Sequence, residues 1–444
     1  MGWQKVCTNM IRTLTTKDLP LAQIVAQLST RGQMESADVV SAVRAIVADV
    51  AARGDEAVLE YTHKFDSAAV EVLRVTRESI DDAHRSLRPE FASALARAAA
   101  NIRQFHQAEK AARGYGDAID WLVDRGNGSR LGEIVRPVQR VGIMVPGKAA
   151  PCPSTVLMCA IPAKVAGVEY VAIASPPRPD GTLAPEILAA AHEAGVDDVY
   201  TMGGAQAVAA FAYGSIQVKP VDVIVGPGNI YVTIAKREVF GRVGIDMLAG
   251  PSEVLIIADE TCNPRFAAID MVSQAEHGET SAAILVTHVP ELAESVMAQA
   301  LEVLRISPRG AVLRKSLFEY GGIVLTQSLE ESIALANLLA PEHLEVMTAN
   351  PERVAEALVS AGAIFCGNWS PTPLGDYLAG PSHVLPTGGT GRFSSPLSVA
   401  TYMKRSSVIQ YSQGTFAEES NAIQEFARAE GLWAHGESAR IRGA

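Results

Sequence analysis

The chain contains no uninterrupted run of about 18–20 apolar residues, the length a helix needs to cross a bilayer. Its opening stretch, MGWQKVCTNMIRTL, lacks the apolar segment of a signal peptide. It also lacks any CxxC pair. The five cysteines (Cys7, Cys152, Cys159, Cys262 and Cys366) are odd in number and scattered, which excludes a disulfide framework and points to a reducing compartment. Positive charge is scarce as well. A formal net charge of −11 argues against general nucleic-acid or anionic-membrane binding, since phosphate-rich partners require basic patches. These absences point to a soluble, cytoplasmic protein with no nucleic-acid or membrane partner.

What is present is globular: 48% hydrophobic and 20% charged residues. At roughly 150 residues per domain, 444 residues suggest two or three units. The first 135 residues read as helical, with apolar residues spaced by three and four in segments 37–65 and 89–114. From Arg136 the pattern alternates. VGIMV, YVAIAS, DVYTM and VDVIV are β-rich runs, each followed by a helical stretch. A second alternating block carries EVLIIAD, AILVTH, GGIVLT, HLEVMT and AIFCG. Strand–loop–helix alternation predicts an α/β fold with two Rossmann-like parallel sheets covered by helices. After Ser394 the chain reads as helical again and ends in a polar tail. No convincing sequence repeat links the two blocks.

Four constellations could carry chemistry. Gln274 and His277 in SQAEHG lie three apart, on one helical face; they read either as a ligand pair or as ordinary helix residues. Glu342 and His343 in PEHL mark a helix–strand junction, and could be a general base and its helper. In α/β sheets such chemistry is expected at the carboxyl edge; a solvated pair is the plain alternative. Asp376 and His383 sit in a glycine-rich loop, and Glu430 and His435 in a terminal segment that is normally expendable. Gln274, His277, Asp376 and His435 supply donors that suit Zn²⁺, but no HExxH motif fixes the assignment. The GxGxxG fingerprint is missing too. In its place stand PGKA after the first strand, GGAQ at 203–206 and GPGN at 226–229. Each turn can present backbone N–H groups at a helix start to a phosphate; each also fits a purely steric need for glycine.

In combination these motifs resemble histidinol dehydrogenases. The stretches that carry the resemblance are GPGNIYVTIAKREVFGRVGIDMLAGPSEVLIIADE (226–260), SQAEHG, PEHL and GDYLAGPSHVLPTGGTGRFSSPL (375–397). It runs from ARGDEAVLEYTHKFD (52–66) to AEGLWAHGESARIR (429–442). It implies that Gln274, His277, Asp376 and His435 are zinc ligands. Glu342 and His343 would be the catalytic proton acceptors. Ser252, Glu430 and His343, together with the zinc ligands, would meet substrate, and Gln206 and Asn229 would meet NAD. It further implies a homodimer in which the C-terminal segment crosses to complete the partner's site. The expected division is an N-terminal helical segment (1–34), a first α/β domain (35–143 with 259–396), a second carrying the cofactor loops (144–258), and a dimerisation segment (397–444). Two positions depart from the family pattern. Met144 stands where the family has a cofactor-contacting Tyr, and Lys148 stands where it has Gly.

The implied reaction oxidises L-histidinol to L-histidine through bound L-histidinaldehyde, with two hydrides passing to NAD. Zinc holds the substrate's imidazole and amine. His343 takes the alcohol proton and Glu342 activates water. Rival readings are oxidation of another alcohol such as a sulfonated diol, a zinc hydrolase using Glu342, a non-catalytic binding protein, or a covalent route through Cys152 or Cys159.

Overall fold

The computed structural model describes residues 11–29, 36–115, 119–148 and 150–443. Cys7, most of the opening stretch and the boundary expected at 34/35 lie outside the described residues. Two compact units result: Met1–His106 with Gln139–Thr401, and Gln107–Val138 with Tyr402–Ala444. In chain order the strands are β1 (Thr13–Thr15), β2 (Ile119–Asp124), β3 (Arg130–Pro137), β4 (Arg140–Met144), β5 (Tyr170–Ser175), β6 (Asp198–Thr201) and β7 (Val223–Val225). They continue as β8 (Gly244–Ile245), β9 (Glu253–Ala258), β10 (Ala282–Thr287), β11 (Gly322–Leu325), β12 (His343–Met347), β13 (Ala363–Cys366) and β14 (Met403–Gln410).

The first unit holds two parallel sheets, as the alternation predicts. One runs β1-β11-β10-β9-β12-β13, the other β6-β5-β4-β7-β8. Leaving aside β1 at its edge, each sheet places its own first strand in the middle, goes out one way for the second and third, and returns for the fourth and fifth. The two blocks thus share one strand order although no sequence repeat links them. Every residue of β9 and β10 is buried, which is why they read as continuous apolar runs: helices cover both faces. Val254, Ile256 and Ala258 join one core, while Leu255 and Ile257 join the other, following the two-residue period of a strand. On one face of the five-stranded sheet lie the helices Gly204–Tyr213 and Ile230–Val239, and Ala37–Arg53 and Asp55–Phe65 pack against those helices to complete the core.

The second unit was not legible as such. β14, β3 and β2 form an antiparallel sheet, followed by helices Gln413–Ala429 and Trp433–Arg440. The helical reading of the first 135 residues therefore fails at β2 and β3, as it does at β1 of the first unit, and that of the C-terminal region fails at β14. These strands carry few buried residues (β14 has none), so their two-residue alternation is weak against the helical periodicity beside it. Among the described residues no helix is long and apolar enough to cross a membrane.

Candidate active site

The helix Leu329–Leu339 ends at Ala340, whose φ of 46° lies in the left-handed region, alone among the described non-glycine residues. Such a conformation costs an alanine about 1–2 kcal/mol, and Pro341 bars continuation of the helix. The turn delivers Glu342 and His343 to the amino end of β12. This corrects the expectation of a carboxyl-edge site. A pair that precedes its strand must lie at that strand's amino end, and the helix–strand order PEHL already carried this signal.

His343 is 5% exposed and Glu342 is 6% exposed. His343 Nδ1 lies 3.0 Å from the Glu253 carbonyl oxygen. A proton on Nδ1 donates to that carbonyl, which leaves Nε2 as the proton-accepting atom; Nε2 is buried without a partner. Glu342 Oε2 accepts the Glu253 N–H at 2.8 Å and lies 3.5 Å from His343 Nδ1. In return Glu253 Oε1 accepts the N–H groups of Glu342 (3.2 Å) and Gly388 (2.9 Å). Glu253 thus holds the pair and one of the site loops together, a role its place at the head of an apolar run concealed. Burial lowers the His343 pKa, but the Glu342 carboxylate outweighs it, with Asp376 assisting, and the net position is pushed up to about 9.

Asp376, on the helix Thr372–Tyr377, interacts electrostatically with both His343 and His383. His383 Nδ1 lies 3.1 Å from the Asp376 carbonyl oxygen, and Nε2 lies 3.2 Å from Thr155 Oγ1. Burial lowers its pKa, with Asp376 opposing. Glu342, His343, Asp376 and His383 therefore form one electrostatic cluster; the resemblance had assigned His383 nothing. Ser252 directly precedes β9, and its carbonyl accepts the Ala282 N–H. Gln274 closes the helix Pro264–Ala275 that returns from β9. Both its amide atoms are buried without a partner, a state that is costly unless a ligand completes it. His277 is exposed just beyond that helix end. Among the described residues no group of three or more His, Cys, Asp or Glu side chains could hold a metal ion. The orphaned Gln274 amide and the Asp376 carboxylate nonetheless fit a divalent cation, with a carbonyl and a carboxylate donor that leave room for histidines. Glu430 and His435 lie exposed in the second unit.

The cofactor candidates sit at the carboxyl edge of the five-stranded sheet. Gln206, 2% exposed, opens the helix Gly204–Tyr213 and donates from Nε2 to Asp66 at 3.4 Å. Asn229 caps the helix Ile230–Val239: its side-chain oxygen accepts from Tyr231 and Val232 N–H groups at 3.1 and 3.2 Å. Asn229 itself is exposed. The glycines have steric reasons of their own. A Cβ at Gly226, whose φ is +97°, would fall on the Met144 carbonyl, and one at Gly147 would meet Ser175 Oγ at 2.6 Å. Gly226 is also clamped from below. Its N–H donates to Asp246 at 2.7 Å, its carbonyl accepts from Lys236 Nζ at 3.1 Å, and Lys236 and Asp246 are themselves ion-paired.

The two departures from the family pattern differ in setting: Met144 is inside the protein, and Lys148 is exposed at the surface. Met144 is buried in the core. Lys148 Nζ donates to the Phe65 carbonyl at 2.6 Å and lies 3.5 Å from Asp66, whose carboxyl burial pushes up and Lys148 pulls down. The cysteine route loses support, because burial raises the thiol pKa of both Cys152 and Cys159, the opposite of what a nucleophile needs.

A family model described as histidinol dehydrogenase matches residues 29–443. The histidinol dehydrogenase of Bacillus subtilis (strain 168) is 48% identical over 400 residues, covering 90% of this chain and 92% of that protein. That of Heliobacterium mobile is 48% identical over 411 residues, covering 92% and 95%. The crystal structure of histidinol dehydrogenase from Elizabethkingia anophelis matches with a TM-score of 0.90 at 34% identity, covering 98% of this chain and 99% of that one. The match takes in both parallel sheets, and the chain belongs to the histidinol dehydrogenase family.

Proposed function

We propose that this protein oxidises L-histidinol to L-histidine through bound L-histidinaldehyde, as a zinc-dependent, NAD-linked homodimer. The observation that carries the reading is the Glu342–His343 pair, with a buried, unpartnered Nε2 on a ring held by the Glu253 carbonyl. Gln274, His277 and Asp376 hold the zinc together with His435, supplied by the second copy along with Glu430; Gln206 and Asn229 hold NAD. When bound, zinc would supply orientation of the substrate and NAD would supply the hydride acceptor. His343 takes the alcohol proton at Nε2. Glu342, seated beside it and fixed by two backbone contacts with Glu253, takes a proton from the water that hydrates the aldehyde. Ser252 lines the substrate side. Lys148, the cation that departs from the family pattern, is engaged with Phe65 and Asp66, so it gives a sulfonated substrate no support.

The test supplies zinc-loaded protein with L-histidinol, follows NADH, and analyses the product. Two NADH per histidine are expected. Glu342→Gln should arrest the second oxidation more than the first, and His343→Asn should slow both. A folded, zinc-bound protein that does not turn over histidinol overturns the reading.

A further inference from the structure

Two buried acids, Asp270 and Glu345, have no part in the chemistry above. Glu345 lies mid-way along β12 at 1% exposure, and Asp270 lies in the helix Pro264–Ala275 at 8%. Glu345 Oε1 accepts two hydrogen bonds from Thr372, one from its N–H and one from its hydroxyl, each at 2.8 Å. Its Oε2 is buried and receives no donor, while the Asp270 carboxyl stands within hydrogen-bonding reach. Two ionised carboxylates in contact at this depth repel strongly; a single proton between them turns the repulsion into a hydrogen bond. Which acid keeps the proton follows from the donors. Glu345 already accepts two, which favours its ionised form, so the proton resides on Asp270 and is donated to Glu345 Oε2. The Asp270 carboxyl is accordingly pushed up to about 8, by burial first and by the Glu345 charge second.

Each member of this group sits in fixed phase with a residue of the proposed site. Asp270 is one helical turn before Gln274, on the same face of its helix. Glu345 is two residues after His343, on the same face of β12. Thr372 opens the short helix that carries Asp376 four residues later. We propose that protonated Asp270, Glu345 and Thr372 form a positioning unit that sets Gln274, His343 and Asp376 in register for metal and substrate. This rests on the reading of those three residues given under the proposed function. None of the three acts on substrate directly. They tie one helix, one strand and a second helix together behind the site, where a buried donor–acceptor chain is stiffer than apolar packing alone.

The test reads zinc affinity by competition with a chromogenic chelator, without substrate, alongside circular dichroism and the KM values for histidinol and NAD. Asp270→Asn keeps an N–H donor to Glu345, and Glu345→Gln keeps both the Thr372 acceptor and a donor to Asp270. Each is expected to bind zinc within about threefold of the unaltered protein. Asp270→Ala removes the donor and should weaken zinc at least about tenfold and raise the KM for histidinol, leaving the KM for NAD unchanged. Thr372→Val, nearly isosteric, serves if Asp270→Ala does not fold; it should weaken zinc about threefold or more. Folded Asp270→Ala or Thr372→Val protein with unaltered zinc affinity overturns the proposal. So does a tenfold loss in the two amide variants, which would mean that charge matters rather than the shared proton. Unaltered protein that binds zinc yet leaves histidinol untouched sinks the proposed activity, while the variant series still decides the role of the pair.

Discussion

Replacing Lys236 by methionine removes half of an ion pair whose side chains are 3% and 1% exposed. Deleting one partner of a buried pair typically costs about 3–5 kcal/mol, because the remaining charge is left uncompensated. Asp246 would still accept the N–H groups of Gly226 at 2.7 Å and Met247 at 2.6 Å, so the lower end, about 3 kcal/mol, is expected. With a urea slope of about 3 kcal/mol per molar, the first unfolding transition should move down by about 1 M. The functional effect should be selective. Lys236 also holds the Gly226 carbonyl, and Gly226 begins the turn that ends in Asn229, so the KM for NAD should rise while that for histidinol does not. The double variant Lys236→Met, Asp246→Asn removes both charges, keeps an amide oxygen for the backbone N–H groups, and should recover about 1 kcal/mol of the loss. Its NAD affinity should stay low, since the Gly226 carbonyl still lacks its partner. A single variant as stable as the parent, or a double variant as unstable as the single one, would refute the argument that this pair clamps the cofactor turn.

With His343 raised to about 9, the neutral base is scarce at neutral pH, and kcat/KM should climb as pH rises towards about 9 and then level. The same shift adds stability that is fully present below the unfolded value of about 6.5 and is lost as pH rises through about 9; urea titrations at several pH values read it. Asn229→Ala removes a helix cap and should cost about 1 kcal/mol and raise the KM for NAD, measured by NADH formation at saturating histidinol. Cys152→Ser should leave turnover unchanged, because no thiolate chemistry is needed; loss of most of the activity in folded protein would revive the covalent route.

The parallel sheets were legible because buried strands announce themselves: AAILV and VLIIA are apolar without interruption, and turns of Gly, Pro or Asn separate them from the helices. The antiparallel strands of the second unit were not, since Trp121, Val123 and Ile409 are exposed and give no inward-facing stripe to read. Among the candidate site residues, Glu342, His343 and Asp376 could be picked out as acids and histidines at element ends. Glu253 and Glu345 could not be assigned roles, although each offered a signal: a carboxylate inside a fully buried strand needs partners to be tolerated. What a linear sequence withholds is which distant residues supply those partners, here Gly388 and Thr372 as donors and Asp270 beside Glu345. The identity of the substrate was legible only through resemblance; spacing and composition stop at an α/β protein with a candidate metal site.

The use of opposite edges in the two sheets has an electrical consequence. In a strand–helix–strand fold every helix runs back against its strands, so an amino edge gathers helix carboxyl ends and a carboxyl edge gathers helix amino ends. Each end carries roughly half an elementary charge, negative at the carboxyl end and positive at the amino end. Beside Glu342 and His343 the helix Pro264–Ala275 points its negative end outward, whereas Gly204–Tyr213 and Ile230–Val239 present positive ends beside Gln206 and Asn229. The backbone alone therefore makes one rim hospitable to a cation and the other to phosphate, before any side chain is chosen. Two copies of one topology can divide the labour of a dehydrogenase simply by being read from opposite ends.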